Sequence, residues 1–177
     1  MDIATVTTKR IVALAAAVVV ISVVAGQTKA DTWDGAYFGV QIGAGQTEFK
    51  EESAAGVAGV QVGRDWQVGE WVMGVGIDSS ALNGGSAGTD FKSLSRLKLR
   101  GGYDFGGTLL YATTGASYGD HNLLGRDWGH FVGVGVEHKL SDNWSISGEI
   151  AQYNFSNFNG AGKVDPTVAA VSLNFRF

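Results

Sequence analysis

Apolar residues recur at every second position through most of the chain from residue 37 onward. In segment 71–78, for example, one face would carry Trp71, Met73, Val75 and Ile77. A period of two places alternate side chains on opposite faces of a β-strand. The pattern predicts eight strands of about ten residues each, at 37–46, 57–66, 71–78, 92–103, 109–118, 130–140, 144–154 and 167–177.

The connections between these strands alternate in length. The short ones are residues 67–70, 104–107 and 141–143, and the long ones are 47–55, 79–91, 119–128 and 155–165. Strands of about ten residues cross a bilayer when they are tilted by about 45°. Short turns on one side and long loops on the other are typical of outer-membrane barrels. The sequence therefore predicts an all-β fold, an eight-stranded antiparallel transmembrane β-barrel with up-and-down strand order.

Aromatic residues gather at the short-turn ends of the strands. They are Trp66, Trp71, Tyr103, Phe105, Trp144 and Phe177, and we predict that Trp66, Trp71, Tyr103 and Trp144 form a periplasmic girdle. At the opposite ends a second girdle is predicted from Tyr118, Trp128, Phe155 and Phe158. A soluble β-sandwich would also alternate, with its apolar residues inward. It has no reason to gather aromatic residues at one set of strand ends, so the pattern favours the membrane barrel.

The second face of the strands carries glycines and charges, which suits the crowded interior of a narrow barrel. An eight-stranded barrel is only wide enough to be filled by side chains, so we expect little or no open pore. The predicted lumen charge network is Asp78, Arg96, Lys98, Arg100, Glu137, Lys139, Glu149 and Arg176.

One pair within this network can be predicted by counting along the strands. Asp78 is seven residues from Trp71, Arg96 is seven residues from Tyr103, and both charges are inward by parity. We therefore predict that Asp78 and Arg96 pair at similar depth. Glu137 and Glu149 are the expected counter-charges of Lys98 and Arg100, which stand in the same row as Arg96.

The first part of the chain reads as an export signal. Lys9 and Arg10 precede an apolar run at residues 11–25, which is short for a membrane-spanning helix and suitable for a signal peptide. Small residues allow cleavage after Ala25 or after Ala30, and the second is favoured. We predict a signal peptide at residues 1–30 and one barrel domain at residues 31–177. A single membrane-anchor helix is the alternative interpretation.

Composition narrows the possible functions. The chain has 13 basic and 17 acidic residues, and taking away Lys9, Arg10, Lys29 and Asp2 leaves a net charge of −6. Such a balance argues against a nucleic-acid partner, which requires a basic surface. The chain has no cysteine, so disulfides cannot stabilise it. Its 27 glycines and single proline suit strands rather than helices.

Few residues of the sequence suit catalysis or ligand binding. The histidines are His121, His130 and His138. Barrels that trim lipid A contain a His-x-Ser-Asn sequence, which is absent here, since Lys139 and Leu140 follow His138. We expect no enzyme activity and no cofactor. Asp120, His121 and His130 lie around the predicted third loop, but scattered histidines without tight ligand spacing usually bind no metal or haem.

The whole of residues 31–177 resembles the alphaproteobacterial porin-like surface proteins, a β-barrel group related to the OmpA transmembrane domain. The similar stretches are Trp33–Gly39, Gly59–Gln67, Val72–Asp78, Leu99–Tyr103, Tyr111–Gly119, Gly133–Glu137, Trp144 and Leu173–Phe177. No single stretch is specific, but their order is. The sequence departs from the group at Arg64, where an aromatic residue is usual, and at Gly76, where an acidic residue is usual.

The resemblance implies an integral protein of the bacterial outer membrane. Its expected partners are outer-membrane lipid, lipopolysaccharide and, during biogenesis, the barrel assembly machinery, for which the terminal aromatic Phe177 resembles the recognition signal. The expected role is structural support of the membrane and presentation of surface loops. Two alternatives remain: a barrel whose loops bind a host surface or haem, and a narrow porin for small solutes.

Overall fold

The computed structural model describes residues 33–46, 55–83, 91–121, 125–155 and 165–177. It contains eight strands, as predicted: β1 Gly35–Gln46, β2 Ala55–Val68, β3 Trp71–Asn83, β4 Phe91–Asp104, β5 Thr108–His121, β6 Gly125–Lys139, β7 Trp144–Asn154 and β8 Thr167–Arg176. Each strand pairs antiparallel with the next, and β1 also pairs with β8, so the sheet closes into a barrel. The predicted fold class is confirmed.

Closure gives every strand a hydrogen-bonded neighbour on both sides. The seam runs from Tyr37 opposite Arg176 to Gln46 opposite Thr167. Unpaired backbone groups cost several kcal/mol each in lipid, about as much as any buried polar group without a partner. A closed sheet avoids this cost because it has no edge.

The two faces of the strands are inverted relative to a soluble protein. Ile42 on the outer face is 69 % exposed and Met73 is 61 % exposed, whereas inward Gln41 is 5 % exposed and Asp78 is 2 % exposed. The outer wall is therefore apolar and the interior is polar, as the period-two pattern predicted. Within the described residues no helix has the length and apolar character needed to cross a membrane.

The strands reach further at their long-connection ends than the sequence predicted. β3 continues to Asn83, and β5 and β6 remain paired up to His121 opposite Gly125. The predicted loop at 119–128 was therefore wrong, because only residues 122–124 lie between these strands. The rings of Tyr118 and Trp128 contact each other there, 5.1 Å apart. Hydrogen bonding between strands needs no apolar alternation, so polar and glycine residues extended the ladder beyond the pattern.

The second girdle, predicted from four aromatic residues at the ends of the strands opposite the short turns, is only partly correct. Tyr118 and Trp128 lie on the outer face. Phe155 does not, because it has the parity of Tyr153, and its side chain is fully buried inside the barrel with Phe131 and Tyr153. Phe158 lies outside the described residues.

The connection between β2 and β3 is a two-residue turn at Gly69 and Glu70. The φ of Gly69 is +63°, which suits the first central position of a type II′ hairpin turn, where glycine is preferred. The connections at the same end of the barrel, after β4 and after β6, are also short, at residues 105–107 and 140–143. We call this end of the barrel the turn end and the opposite end the loop end.

Inward glycines make room for large lumen side chains. A Cβ at Gly135 would lie 2.4 Å from Cζ of Tyr111, and one at Gly63 would lie 2.5 Å from Cζ of Tyr37. Real Cβ atoms do not approach so closely, so these tyrosines require glycine opposite them. The high glycine content is thus a packing requirement of the narrow lumen.

Replacing Gly135 by Ala should destabilise the barrel by about 1–3 kcal/mol, the usual cost of overpacking. Urea unfolding of the refolded protein in lipid vesicles measures the change. Gly101→Ala is the matched control, because Gly101 faces outward and a Cβ there would meet nothing within 4 Å. Equal stability of the two variants would contradict the packing argument.

Candidate functional site

The polar interior of the barrel contains two layers of paired charges. The upper layer, nearer the loop end, consists of Asp78, Arg96, Lys98 and Glu149. The lower layer, nearer the turn end, consists of Asp65, Arg100, Glu137 and Arg176. All eight side chains are buried. Seven of these eight residues are members of the network that the sequence predicted, and Asp65 is an additional member.

Asp78 and Arg96 are in contact in the upper layer. They stand directly opposite each other in the register of β3 and β4. Nε of Arg96 donates to Oδ1 of Asp78 at 2.7 Å and to Oδ2 at 2.9 Å, and its Nη1 donates to Oε1 of Glu149 at 2.7 Å. Arg96 therefore joins a carboxylate on the neighbouring strand to one across the lumen.

Lys98 lies between the same two carboxylates. Its Nζ is 3.7 Å from Oδ2 of Asp78 and 3.9 Å from Oε2 of Glu149, and it donates a 2.9 Å hydrogen bond to Oε1 of Gln61. The hydroxyl of Tyr111 donates to Oε2 of Glu149 at 3.2 Å. Glu149 is therefore shared by two cations and a phenol, where the sequence had assigned it a single role as counter-charge.

The lower layer is a closed ring of alternating charges. Arg100 donates from Nε to Oδ1 of Asp65 at 2.7 Å, from Nη2 to Oδ2 of Asp65, and from Nη1 to Oε2 of Glu137 at 2.7 Å. Arg176 donates to the same two carboxylates, at 2.9 Å to Asp65 and 3.0 Å to Glu137. Each arginine contacts both carboxylates. Hydrogen bonds between two charged groups are the strongest that these side chains can form. We call this arrangement the lower ring.

Aromatic rings cover the faces of the arginines. The guanidinium of Arg100 lies 5.1 Å from the ring centroid of Tyr37 and 5.2 Å from that of Tyr111. That of Arg176 lies 4.7 Å from Trp33 and 5.2 Å from Tyr37. Cation–π contacts of this kind strengthen when water is excluded. Hydrogen bonds to the carboxylates and contacts with the aromatic rings together fix the position of each guanidinium.

Neutral polar groups complete the coordination of Glu137. Ser145 donates to its Oε1 at 2.6 Å and Asn174 donates to the same atom at 3.0 Å. Asn174 in turn accepts from Nε2 of Gln61 at 2.6 Å. These hydrogen bonds connect the lower ring to the Gln61–Lys98 contact above it, so the two layers form one network.

Apolar clusters close the lumen at both ends of this network. The mouth cluster, at the loop end, consists of Val57, Leu94, Phe131, Ala151, Tyr153, Phe155 and Val168. The floor cluster, at the turn end, consists of Trp33, Val72, Leu109 and Tyr111. The charged layers are thus separated from water on both sides. Among the described residues, the side chains of both layers and both clusters are buried.

Lys139, also part of the predicted network, lies nearer the turn end than the lower ring. It is 2 % exposed, and its Nζ lies 5.1 Å from the ring centroid of Trp33 in the floor cluster. Sequence reasoning placed it correctly on the inward face. It did not predict the position below the lower ring.

Asp65, Gln61 and Asn174 were not predicted as members of the network. All three are inward by parity, which was the available signal. Their partners lie across the lumen or two strands away, as the 2.9 Å contact of Arg176 with Asp65 illustrates. Counting along adjacent strands cannot find such contacts.

The predicted girdle residues lie on the outer surface at the turn end. Trp66, Trp71 and Trp144 are exposed, and Tyr103 is half-exposed. The rings of Trp71 and Tyr103 meet edge to face at 5.3 Å, and those of Trp144 and Phe175 meet at 5.1 Å. Phe177 is exposed beside them, and its ring is 5.2 Å from that of Phe175. Phe175 was not singled out in the sequence.

The histidines lie at separate places along β5 and β6. His130 stands opposite Ala116, five residues from His121 along β5, a separation of about 16 Å at 3.3 Å per residue. Nδ1 of His138 is 2.8 Å from the hydroxyl of Thr108, but its Nε2 has no partner among the described residues. A catalytic histidine needs a carboxylate to orient it. No cluster of metal-binding side chains occurs in the part of the chain that the structure describes.

The family profile described as "Outer membrane protein beta-barrel domain" matches residues 13–177. The chain belongs to this family. It is an outer-membrane barrel, and because such barrels have short turns on the periplasmic side, the turn end is periplasmic and the loop end extracellular. No curated protein matches the sequence.

Two solved barrels have similar folds. Neisserial surface protein A (NspA) aligns with a TM-score of 0.59 at 14% identity, covering 82% of this chain and 98% of that one. Ail, the attachment invasion locus protein of Yersinia pestis, aligns with a TM-score of 0.51 at 11% identity, covering 81% of this chain and 97% of that one. At these identities the similarity is one of fold.

The Asp78–Arg96 contact can be tested by a double-mutant cycle with Asp78→Asn and Arg96→Gln. Removing one partner of a buried pair costs about 3–5 kcal/mol, so each single variant should be strongly destabilised and the double variant less than additively. Urea unfolding in lipid vesicles provides the free energies.

The control cycle combines Asp78→Asn with Arg64→Gln, because Arg64 is exposed on the outer face and belongs to neither layer. These effects should add to within about 0.5 kcal/mol. If the Asp78–Arg96 cycle is equally additive, the two residues are not energetically coupled and the pair contributes no stability of its own.

Proposed function

We propose that the protein is a closed, non-catalytic barrel that supports the outer membrane and presents its extracellular connections at the cell surface, with little or no open pore. The observation that carries the proposal is the filled lumen. Two charged layers occupy its middle, and the mouth and floor clusters cover its ends.

An ion entering this lumen would have to displace side chains that are already paired. Both carboxylates of the lower ring are fully buried and each accepts from two arginines. Opening a path would leave charges unpaired in a poorly hydrated interior, which is strongly unfavourable. A porin instead needs a wider barrel with a water-filled channel. The geometry favours a lumen that is blocked by its own side chains, which we call the plug.

The outer surface supports a structural role. The exposed apolar side chains of the strands form the lipid-facing wall, and the aromatic girdle lies at the periplasmic interface. Membrane lipid and lipopolysaccharide are the proposed partners of this wall. Phe177, exposed at the end of the last strand, is the proposed contact for the barrel assembly machinery.

Surface presentation would depend on the extracellular connections, most of which lie outside the described residues. The names of the two similar barrels refer to a surface protein and to attachment and invasion. They support a surface role for this barrel, and the ligand, if there is one, would be decided by its own connections.

Single-channel recording in a planar bilayer tests the plug. The refolded barrel should show no stable conductance in the porin range, because its lumen is filled. A variant with Arg96, Arg100 and Arg176 all changed to Ala should conduct more than the wild type, provided that it retains the resistance to unfolding by SDS before heating. Gly101→Ala serves as the control variant. A stable porin-like conductance of the wild-type protein would contradict the proposal.

Export should remove residues 1–30, as the basic start and the apolar run at 11–25 suggest. Intact mass spectrometry of the protein recovered from the outer membrane should give the mass of a chain beginning at Asp31. A mass that retains Met1 would favour the anchor-helix interpretation, and one beginning at Gly26 would move the cleavage site to Ala25.

A further inference from the structure

Arg64 lies on the outer wall of the barrel, facing away from the lumen. It is exposed, and in the register of the sheet it stands between Ala36 of β1 and Val75 of β3. Val62, the next outward residue toward the loop end, is also exposed and apolar. A permanently charged side chain therefore projects from a wall that is otherwise built to meet hydrocarbon.

Within the described residues no carboxylate pairs with Arg64. Its guanidinium carbon instead lies 5.7 Å from the ring centroid of Trp66. Each of the lumen arginines, by contrast, contacts two carboxylates. The charge of Arg64 is thus available to a partner outside the protein.

The direction of the side chain indicates where that partner lies. Trp66 is two residues closer to the periplasmic end of β2, which is about 5 Å nearer the membrane surface for a strand tilted by about 45°. Because the guanidinium reaches the Trp66 ring, it lies at the level of the aromatic girdle. Long basic side chains reach toward the headgroups in this way while their stems remain in the apolar region.

The chemistry of this position selects a phosphate. A guanidinium presents planar N–H donors that match phosphate oxygens two at a time. The guanidinium carbon lies over the Trp66 ring, and among the described residues no carboxylate competes for its N–H donors. A cation on the lipid face is most destabilising at the bilayer mid-plane and nearly neutral at the interface, where phosphates are available.

We propose that Arg64 and Trp66 form a binding site on the outer wall for the phosphate of a phospholipid in the periplasmic leaflet. The lipid's acyl chains lie along the apolar wall beside Val62 and Val75, and its phosphate lies against the guanidinium. This inference concerns the exterior of the barrel and holds whether or not the lumen conducts.

Native mass spectrometry tests the proposal directly. The barrel is refolded in maltoside micelles, which contain no phosphate, and titrated with phosphatidylethanolamine. Arg64→Gln should weaken binding of the first lipid about tenfold, as expected for a lost charge-assisted contact. Arg64→Lys should retain most of the affinity. Lys163→Gln removes the same charge from the connection between β7 and β8 and should leave binding unchanged.

Diacylglycerol with the same acyl chains is the lipid control, since it lacks the phosphate. It should bind equally weakly to the wild type and to Arg64→Gln. Equal binding of phosphatidylethanolamine by the wild type and Arg64→Gln, or equal binding of the two lipids by the wild type, would overturn the proposal.

Stability provides an independent readout. In phospholipid vesicles Arg64→Gln should increase the equilibrium constant for unfolding about tenfold relative to the wild type, and in maltoside micelles it should change it less than twofold. If the variant is more stable than the wild type in both hosts, Arg64 is an uncompensated charge in the lipid wall and no phosphate site exists.

Discussion

The lower ring joins four strands that do not all neighbour one another. Asp65 belongs to β2, Arg100 to β4, Glu137 to β6 and Arg176 to β8, and each arginine bonds to both carboxylates. A buried charge is tolerated only when its partners are in place. The Arg176–Asp65 contact crosses the seam between β8 and β1, so the ring is complete only when the barrel has closed. Closure and charge pairing depend on each other.

Much of the remaining lumen follows from fitting this ring into a narrow cylinder. A Cβ at Gly74 would lie 2.1 Å from Oδ1 of Asp65, so the ring requires glycine there. Tyr37 and Tyr111 fill the space beside Arg100 and need Gly63 and Gly135 opposite them. Because arginine and tyrosine side chains together occupy the cross-section, the same arrangement that neutralises the charges also fills the middle of the lumen.

Side-chain contacts between adjacent strands could be predicted from the sequence. The Asp78–Arg96 contact followed from counting because β3 and β4 are neighbours and both counts start at the turn end. The lower ring did not follow, because its contacts cross the lumen and depend on tilt and shear, which no count along the chain supplies. Asp65 was inward by parity, yet the charges it meets stand on β4 and β8.

The errors in interpreting the strand ends have a common origin. Phe155 was assigned to the outer surface from its place near a strand end, although its parity matched that of buried Tyr153. The segment 119–128 was predicted as a loop because apolar alternation stops there, although the backbone ladder of β5 and β6 continues. Alternation of apolar residues indicates which part of a strand contacts hydrocarbon, whereas strand pairing depends on the geometry of the backbone. The two coincide only within the membrane.

The polar lumen also specifies how the strands pair. Side chains alternate with a period of two, so a slip of one residue would exchange the inner and outer faces of a strand. For β4 such a slip would move Arg96, Lys98 and Arg100 into the lipid, at about 2–4 kcal/mol for each cation near the bilayer mid-plane. It would also leave Asp65 and Asp78 without the partners they have in the native register. A barrel with an apolar interior would lack this penalty, and its strands could pair in several registers. The charges inside the barrel therefore contribute to choosing one structure among alternatives, in addition to any stability that their pairing provides.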